Sequence, residues 1–215
     1  MHLGPEKFEI VPTESLETSL KRELLGKVQK VADIEEERDV VAKIADKQKI
    51  DLLNAAFLRE KDRQNSDPIN PNSPFANFTR LNVIELLDLP NDEDLKFYTA
   101  VSDSNNKTVL ERDFSIDAFL ELNREKAESI IIPINLTTKI KENSKAIVFD
   151  LPKDFPLHGY FKRNKFAGLE PDEEKLFFKY VNSLANEVTR RIKYIIEITE
   201  NEEKLKSGET NSRTG

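Results

Sequence analysis

Residues 14–64 contain no proline, only one glycine (Gly26), and 23 charged side chains among 51 residues. Apolar residues recur through this stretch every three or four positions, at Leu20, Leu24, Val28, Val31 and Ile34, and again at Val41 and Ile44. That spacing puts them on one stripe of a helix. Length then becomes the constraint. At about 1.5 Å per residue, 51 helical residues would span roughly 75 Å, whereas a compact chain of this size has a radius of gyration near 17 Å. One straight helix cannot lie inside such a globule. The block is expected either to fold back as a helical hairpin, breaking near 33–39 or 46–49, or to project and bury its stripe against another chain. The five consecutive charges Glu35 to Asp39 interrupt the apolar face and favour the first of those breaks. Both alternatives make residues 1–64 a helical interaction or oligomerisation region, with Leu20, Leu24, Val28, Val31, Ile34, Val41 and Ile44 as its contact stripe.

Residues 65–78 hold three of the ten prolines and four asparagines, the chemistry of turns and linkers. A boundary is expected there, with Phe75 and Phe78 as anchors should the segment lie over a partner. An α+β domain is then expected over 79–206. A short helix begins at Thr79, and strands at 95–101 and 108–114 join through Asn105-Asn106. Ser115 and Asp117 start a helix over 116–126. The run Ile130-Ile131-Ile132-Pro133-Ile134 is a strand whose proline favours an edge or an end. Residues 146–151 form another strand, and 152–169 are irregular or hold one more. Pro171 then opens a helix to about Lys204, with Phe177, Val181, Leu184, Val188, Ile192 and Ile195 on one face. The predicted fold class is α+β: an antiparallel sheet of about four to five strands with helices on one face, packed by the long C-terminal helix, and a disordered tail over 207–215.

Composition narrows the chemistry. Leu, Ile, Val and Phe make up about 30% of the chain, enough for a core, while charged residues reach 34%. Absence of cysteine removes disulfides, thiol nucleophiles and thiolate zinc sites. No run of 18 apolar residues occurs, and the first residues lack the basic and apolar regions of a signal peptide, so no membrane association and a cytoplasmic location are expected. The six glycines form no phosphate-binding loop. His158 is the one histidine away from the terminus. The E-x-K letters at Glu173-Glu174-Lys175 and Glu202-Glu203-Lys204 fall on the final helix, where such residues form a solvated face. The acidic run Glu85, Asp88, Asp92, Glu93 and Asp94 has the same reading. Asp113 and Asp150, placed at strand ends, are the carboxylates that could converge on a metal.

The net charge of −7 disfavours coating by polyanions, so nucleic acid would need a local basic patch. Residues 158–166 offer one, interleaving Lys162, Arg163 and Lys165 with Tyr160, Phe161 and Phe166. Lysine and arginine would hold phosphates while Tyr160 or Phe166 stacks on a base. Arg190 and Arg191 on the final helix would extend this surface if they lay beside it. The expected function is that of a non-enzymatic, intracellular interaction or scaffolding protein, self-associating or binding a protein partner through the helical block. The alternatives are nucleic-acid binding through 158–166 and a metal-dependent phosphodiesterase or nuclease. No catalytic residue, metal ligand or cofactor is assigned.

Overall fold

Gly26 divides the first block. It stands at φ +84° in the left-handed region that favours glycine, and its N–H donates to Arg22 O at 3.0 Å, closing helix α1 (Leu16–Leu25). The computed structural model describes residues 16–31, 33–103, 106–125, 127–137, 146–150 and 169–211. Beyond Gly26 the chain runs extended, with Val28 N–H on Val101 O at 2.8 Å and Gln29 N–H on Arg63 O at 3.1 Å. Helix α2 (Ile34–Gln48) begins where Asp33 Oδ1 accepts the N–H groups of Glu35 and Glu36. The charged run 35–39 is therefore the first turn of a helix rather than a bend, because an N-cap and three carboxylates complement the positive end of the helix dipole. Lys49 ends α2 in the left-handed region, and Asp51 caps α3 (Leu52–Lys61).

Helix α4 (Pro74–Leu87) starts inside the proline- and asparagine-rich segment, with Pro74 in its first turn. Ser73 Oγ donates to Glu23 O at 3.1 Å and also to Leu24 O, tying the start of α4 to the end of α1. A 3-10 turn (Asp92–Asp94) leads into β1 (Leu95–Thr99), followed by α5 (Val109–Asp113), β2 (Ala118–Arg124), β3 (Ala127–Thr137), β4 (Ile147–Asp150) and α6 (Pro171–Asn211).

The sheet has the order β1-β2-β3-β4. Strands β1 and β2 pair antiparallel with Phe97 opposite Leu120, and β2 and β3 antiparallel with Leu120 opposite Ile132. Strand β4 runs parallel to β3, with Ile134 opposite Ile147, so the sheet is mixed where an antiparallel one was expected, and four strands lie among the described residues. Pro133 sits one residue before that parallel pairing begins, where β3 is still an edge on the β4 side.

Helices cover both faces, not one. On the first, Leu95, Phe97, Leu120, Leu122, Ile130, Ile132, Ile134, Leu136 and Phe149 pack against α1, α4 and α6. On the second, Tyr98, Ala100 and Phe119 pack against Val41, Ala45, Ala55, Ala56 and Phe57 of α2 and α3, and against Val109 and Leu110 of α5. Phe119 lies 4.7 Å from Phe57, ring edge to face, and 4.9 Å from Tyr98, stacked. This double burial shapes β2. Residues 118–122 are all buried, Glu121 among them, so the strand shows no apolar-polar alternation and resembles the helix expected over 116–126. Residues 108–114, expected as a strand, hold α5 because Thr108 and Glu111 form a complete capping box. Phe75 is buried on the first face and Phe78 packs against it, the two rings 5.9 and 6.1 Å from Phe177 of α6. Helix α6 extends to Asn211, into the expected disordered tail.

Candidate interaction surface

Helix α6 opens with Pro171 and with Asp172, Glu173 and Glu174 in its first turn, both favourable at a helix start. Its inward face, Phe177, Val181, Leu184, Val188 and Ile192, is buried against α4 and the sheet. Up to residue 205, Ile192 is the last buried one. None of residues 193–205 is buried, and the 19 residues from 193 to 211 carry the helix about 28 Å further. Along this end Tyr194 is 57% exposed, Ile198 39% and Leu205 70%. They stand at i, i+4 and i+11, which places the three within about 40° of one another around the axis. Asn201 fills the remaining position of the stripe.

Roughly a quarter to a third of a turn round from that stripe, Ile195 and Thr199 face the tip of the β2-β3 hairpin. Together with Arg124, Glu128, Ser129 and Ile130 they line an open groove of about 800 Å³. A second, polar recess of about 420 Å³ lies where α1 ends, near Asn65 and Ser73. Its cations are engaged: Arg22 Nε donates to Ser102 O at 2.7 Å, and Lys27 Nζ is 2.8 Å from Asp103 Oδ1.

The residues singled out in the sequence are distributed as follows. In the N-terminal stripe, Leu20, Leu24, Val28, Val31 and Val41 are buried in the chain's own core, while Ile34 and Ile44 are half-buried. Arg190 and Arg191 are adjacent and exposed on α6. The Arg190 guanidinium bonds Glu187 within the same helix, Nη2 to Oε1 at 2.5 Å, and the neighbouring carboxylate stabilises its charge. Tyr160, Lys162, Arg163, Lys165 and Phe166 lie outside the described residues, as do Asp154 and His158. Asp113 ends α5 and is paired with Arg38 at 3.0 Å and Arg112 at 2.9 Å, whereas Asp150 ends β4 exposed. Among the described residues no group of three or more His, Asp or Glu side chains is placed to hold a metal ion. The acidic run 85–94 spans the end of α4 and the 3-10 turn, where buried Arg80 donates to Leu95 O at 2.6 Å and to Asp92 O.

One buried charged cluster escaped the sequence reading. Glu37 of α2 accepts from Arg59 Nε at 2.8 Å and lies 2.7 Å from Arg63 Nη1, while Arg63 Nη2 donates to Gln29 O at 2.9 Å. Glu60 is 1% exposed, 3.8 Å from Arg63, and its Oε2 has no hydrogen-bond partner. Burial pushes its carboxyl up to about 8, against the opposing pull of Arg63 and with a contribution from Glu37. On the opposite side, Lys21 Nζ pairs with buried Asp117 at 2.9 Å, and Asp117 also accepts Leu136 N–H at 2.8 Å, so the pair fastens α1 to the sheet. Burial raises the Asp117 carboxyl, with Lys21 pulling the other way. Both clusters join elements far apart in sequence and act as ties between them. Periodicity could not reveal them, because Glu37 and Glu60 look like members of a solvated face.

Among the described residues no helix is long and apolar enough to cross a membrane. No protein-family model, curated protein or solved structure is detectably similar to the chain.

Proposed function

We propose that the chain is a non-enzymatic interaction protein of the cytoplasm that docks on a protein partner through the projecting end of α6. The observation that carries this reading is the exposure of Tyr194, Ile198 and Leu205 on one face of a helix that continues well past its last buried residue. Past Ile192 this end adds the half-buried Ile195 and Ile196 to the core, while on its outer side three large apolar side chains in one line are an unfavourable surface unless something covers them. With Leu20, Leu24, Val28, Val31 and Val41 spent inside the chain, the N-terminal stripe offers no such face, and among the described residues the exposed large apolar side chains are Leu52, Leu81 and Leu86 besides the three aligned on α6.

The test places a photo-crosslinking amino acid at Asn201 of the full chain in cells. The expected result is one discrete, heavier protein adduct whose yield falls about tenfold or more when Ile198→Glu and Leu205→Glu are added, since both lie at the centre of the contact. Absence of an adduct, or labelling no different from that of the same group placed at exposed Asp46 on α2, overturns the proposal.

A further inference from the structure

Resting on that reading, we infer that the occupant of the α6 face is a second copy of this chain, bound antiparallel. The stripe Arg191, Tyr194, Ile198, Asn201, Leu205 follows alternate spacings of three and four, the a/d pattern by which two helices pack side by side. Charge decides the orientation. One flank of the stripe carries Glu197 and Lys204, and the other carries Ile195 and Glu202. In a parallel pair the flank position Glu197 would meet Glu202 of the second copy, a repulsive contact made twice. In an antiparallel pair Tyr194 packs opposite Leu205, Ile198 opposite Asn201, and Glu197 then faces Lys204 in both directions, giving two attractive contacts related by the twofold axis.

The body of the protein permits this register. With the axis passing between residues 199 and 200, Ile192, the last residue buried in the core, lies opposite position 207 of the second helix. The two projecting ends thus overlap over residues 193–206. The groove along Ile195 and Thr199 faces the β2-β3 hairpin and leaves the Tyr194 face clear. Asn201 opposite Ile198 makes the central layers half polar, a device that fixes register at a cost in affinity. A two-helix contact about 21 Å long falls at the small end of specific interfaces, so the dimer is expected to be weak and concentration-dependent.

Sedimentation equilibrium of the full chain across the micromolar range tests it. The apparent mass should rise from 24.7 kDa toward twice that value, and Ile198→Glu should hold it at the monomer with an unchanged circular dichroism spectrum and melting temperature. Glu197→Lys and Lys204→Glu should each weaken the dimer about fivefold, and the two together should restore it. The chain has no cysteine, so a single spin label at Arg190→Cys reports orientation directly: about 30 Å between labels for the antiparallel pair, about 10 Å for a parallel one. A short distance, or a mass rise that survives Ile198→Glu, overturns the inference. A monomer at every concentration does so as well; if the photo-crosslink at Asn201 then captures a different protein, the interaction reading stands and only the second copy is lost.

Discussion

Glu60 is where a single residue shapes the response of the whole chain to pH. Its carboxyl, held at about 8 in the fold, would lose its proton near 4.5 in the unfolded chain. Between those values the folded state binds a proton that the unfolded state does not, so stability declines as pH rises and levels off above about 8. Glu111 and Asp117 are raised by burial as well and act in the same direction. Glu60→Gln removes the charge and keeps the shape. The variant should melt close to the wild type at pH 5 and be at least about 1 kcal/mol more stable at pH 9, some 2–4 °C in melting temperature, read by calorimetry at both values. An equal shift at both pH values would mean that Glu60 is ionised throughout.

At the scale of elements, α5 shows how few residues decide between helix and strand. Thr108 Oγ1 accepts Glu111 N–H at 3.1 Å and donates to Ala100 O at 2.9 Å, while Glu111 Oε2 accepts the N–H groups of Thr108 and Ser102, both at 3.1 Å. The box therefore caps a five-residue helix and also fastens it to the chain leaving β1. Thr108→Val keeps the volume and removes the hydroxyl at a fully buried site. It should cost about 1–2 kcal/mol in urea denaturation, with the slope of the transition unchanged. The signal was visible as a threonine followed three residues later by glutamate. The turn residues Asn105-Asn106 before it suggest a hairpin instead. Strand β2 shows the opposite difficulty, since alternation is invisible when Phe119 and Leu120 face two separate helical layers.

For the molecule as a whole, the helices before residue 64 belong to the same packing as the sheet. Leu20, Leu24 and Leu25 share a core with Phe97, Leu120, Ile132 and Phe177, and Phe57 closes the other face over Phe119. A fragment comprising residues 65–215 should consequently lose cooperative thermal unfolding and expose apolar surface to a dye such as ANS, because α1 would leave the first face and α2 and α3 the second, uncovering part of both at once. A fragment that melted as sharply as the full chain would show that α1, α2 and α3 are appended to a self-sufficient domain.

The α+β class, the helix from Pro171, the strands near 95 and 130 and the block 147–150 were legible in the residues alone. Each rests on a local signal: periodicity, a proline at a helix start, or a β-branched run. The N-terminal block was legible as helix that either folds back or projects against another chain. What covers its stripe was settled only in three dimensions, where α1 meets one face of the sheet and α2 and α3 the other. Periodicity states that a face is apolar and is silent on which surface buries it. The same limit hid the Glu37-Arg63-Glu60 cluster, since a charge is exposed or buried according to its neighbours in space. It also hid the difference between the two halves of α6, whose apolar positions look alike in the chain and separate only because some meet the core and others, Tyr194, Ile198 and Leu205, do not.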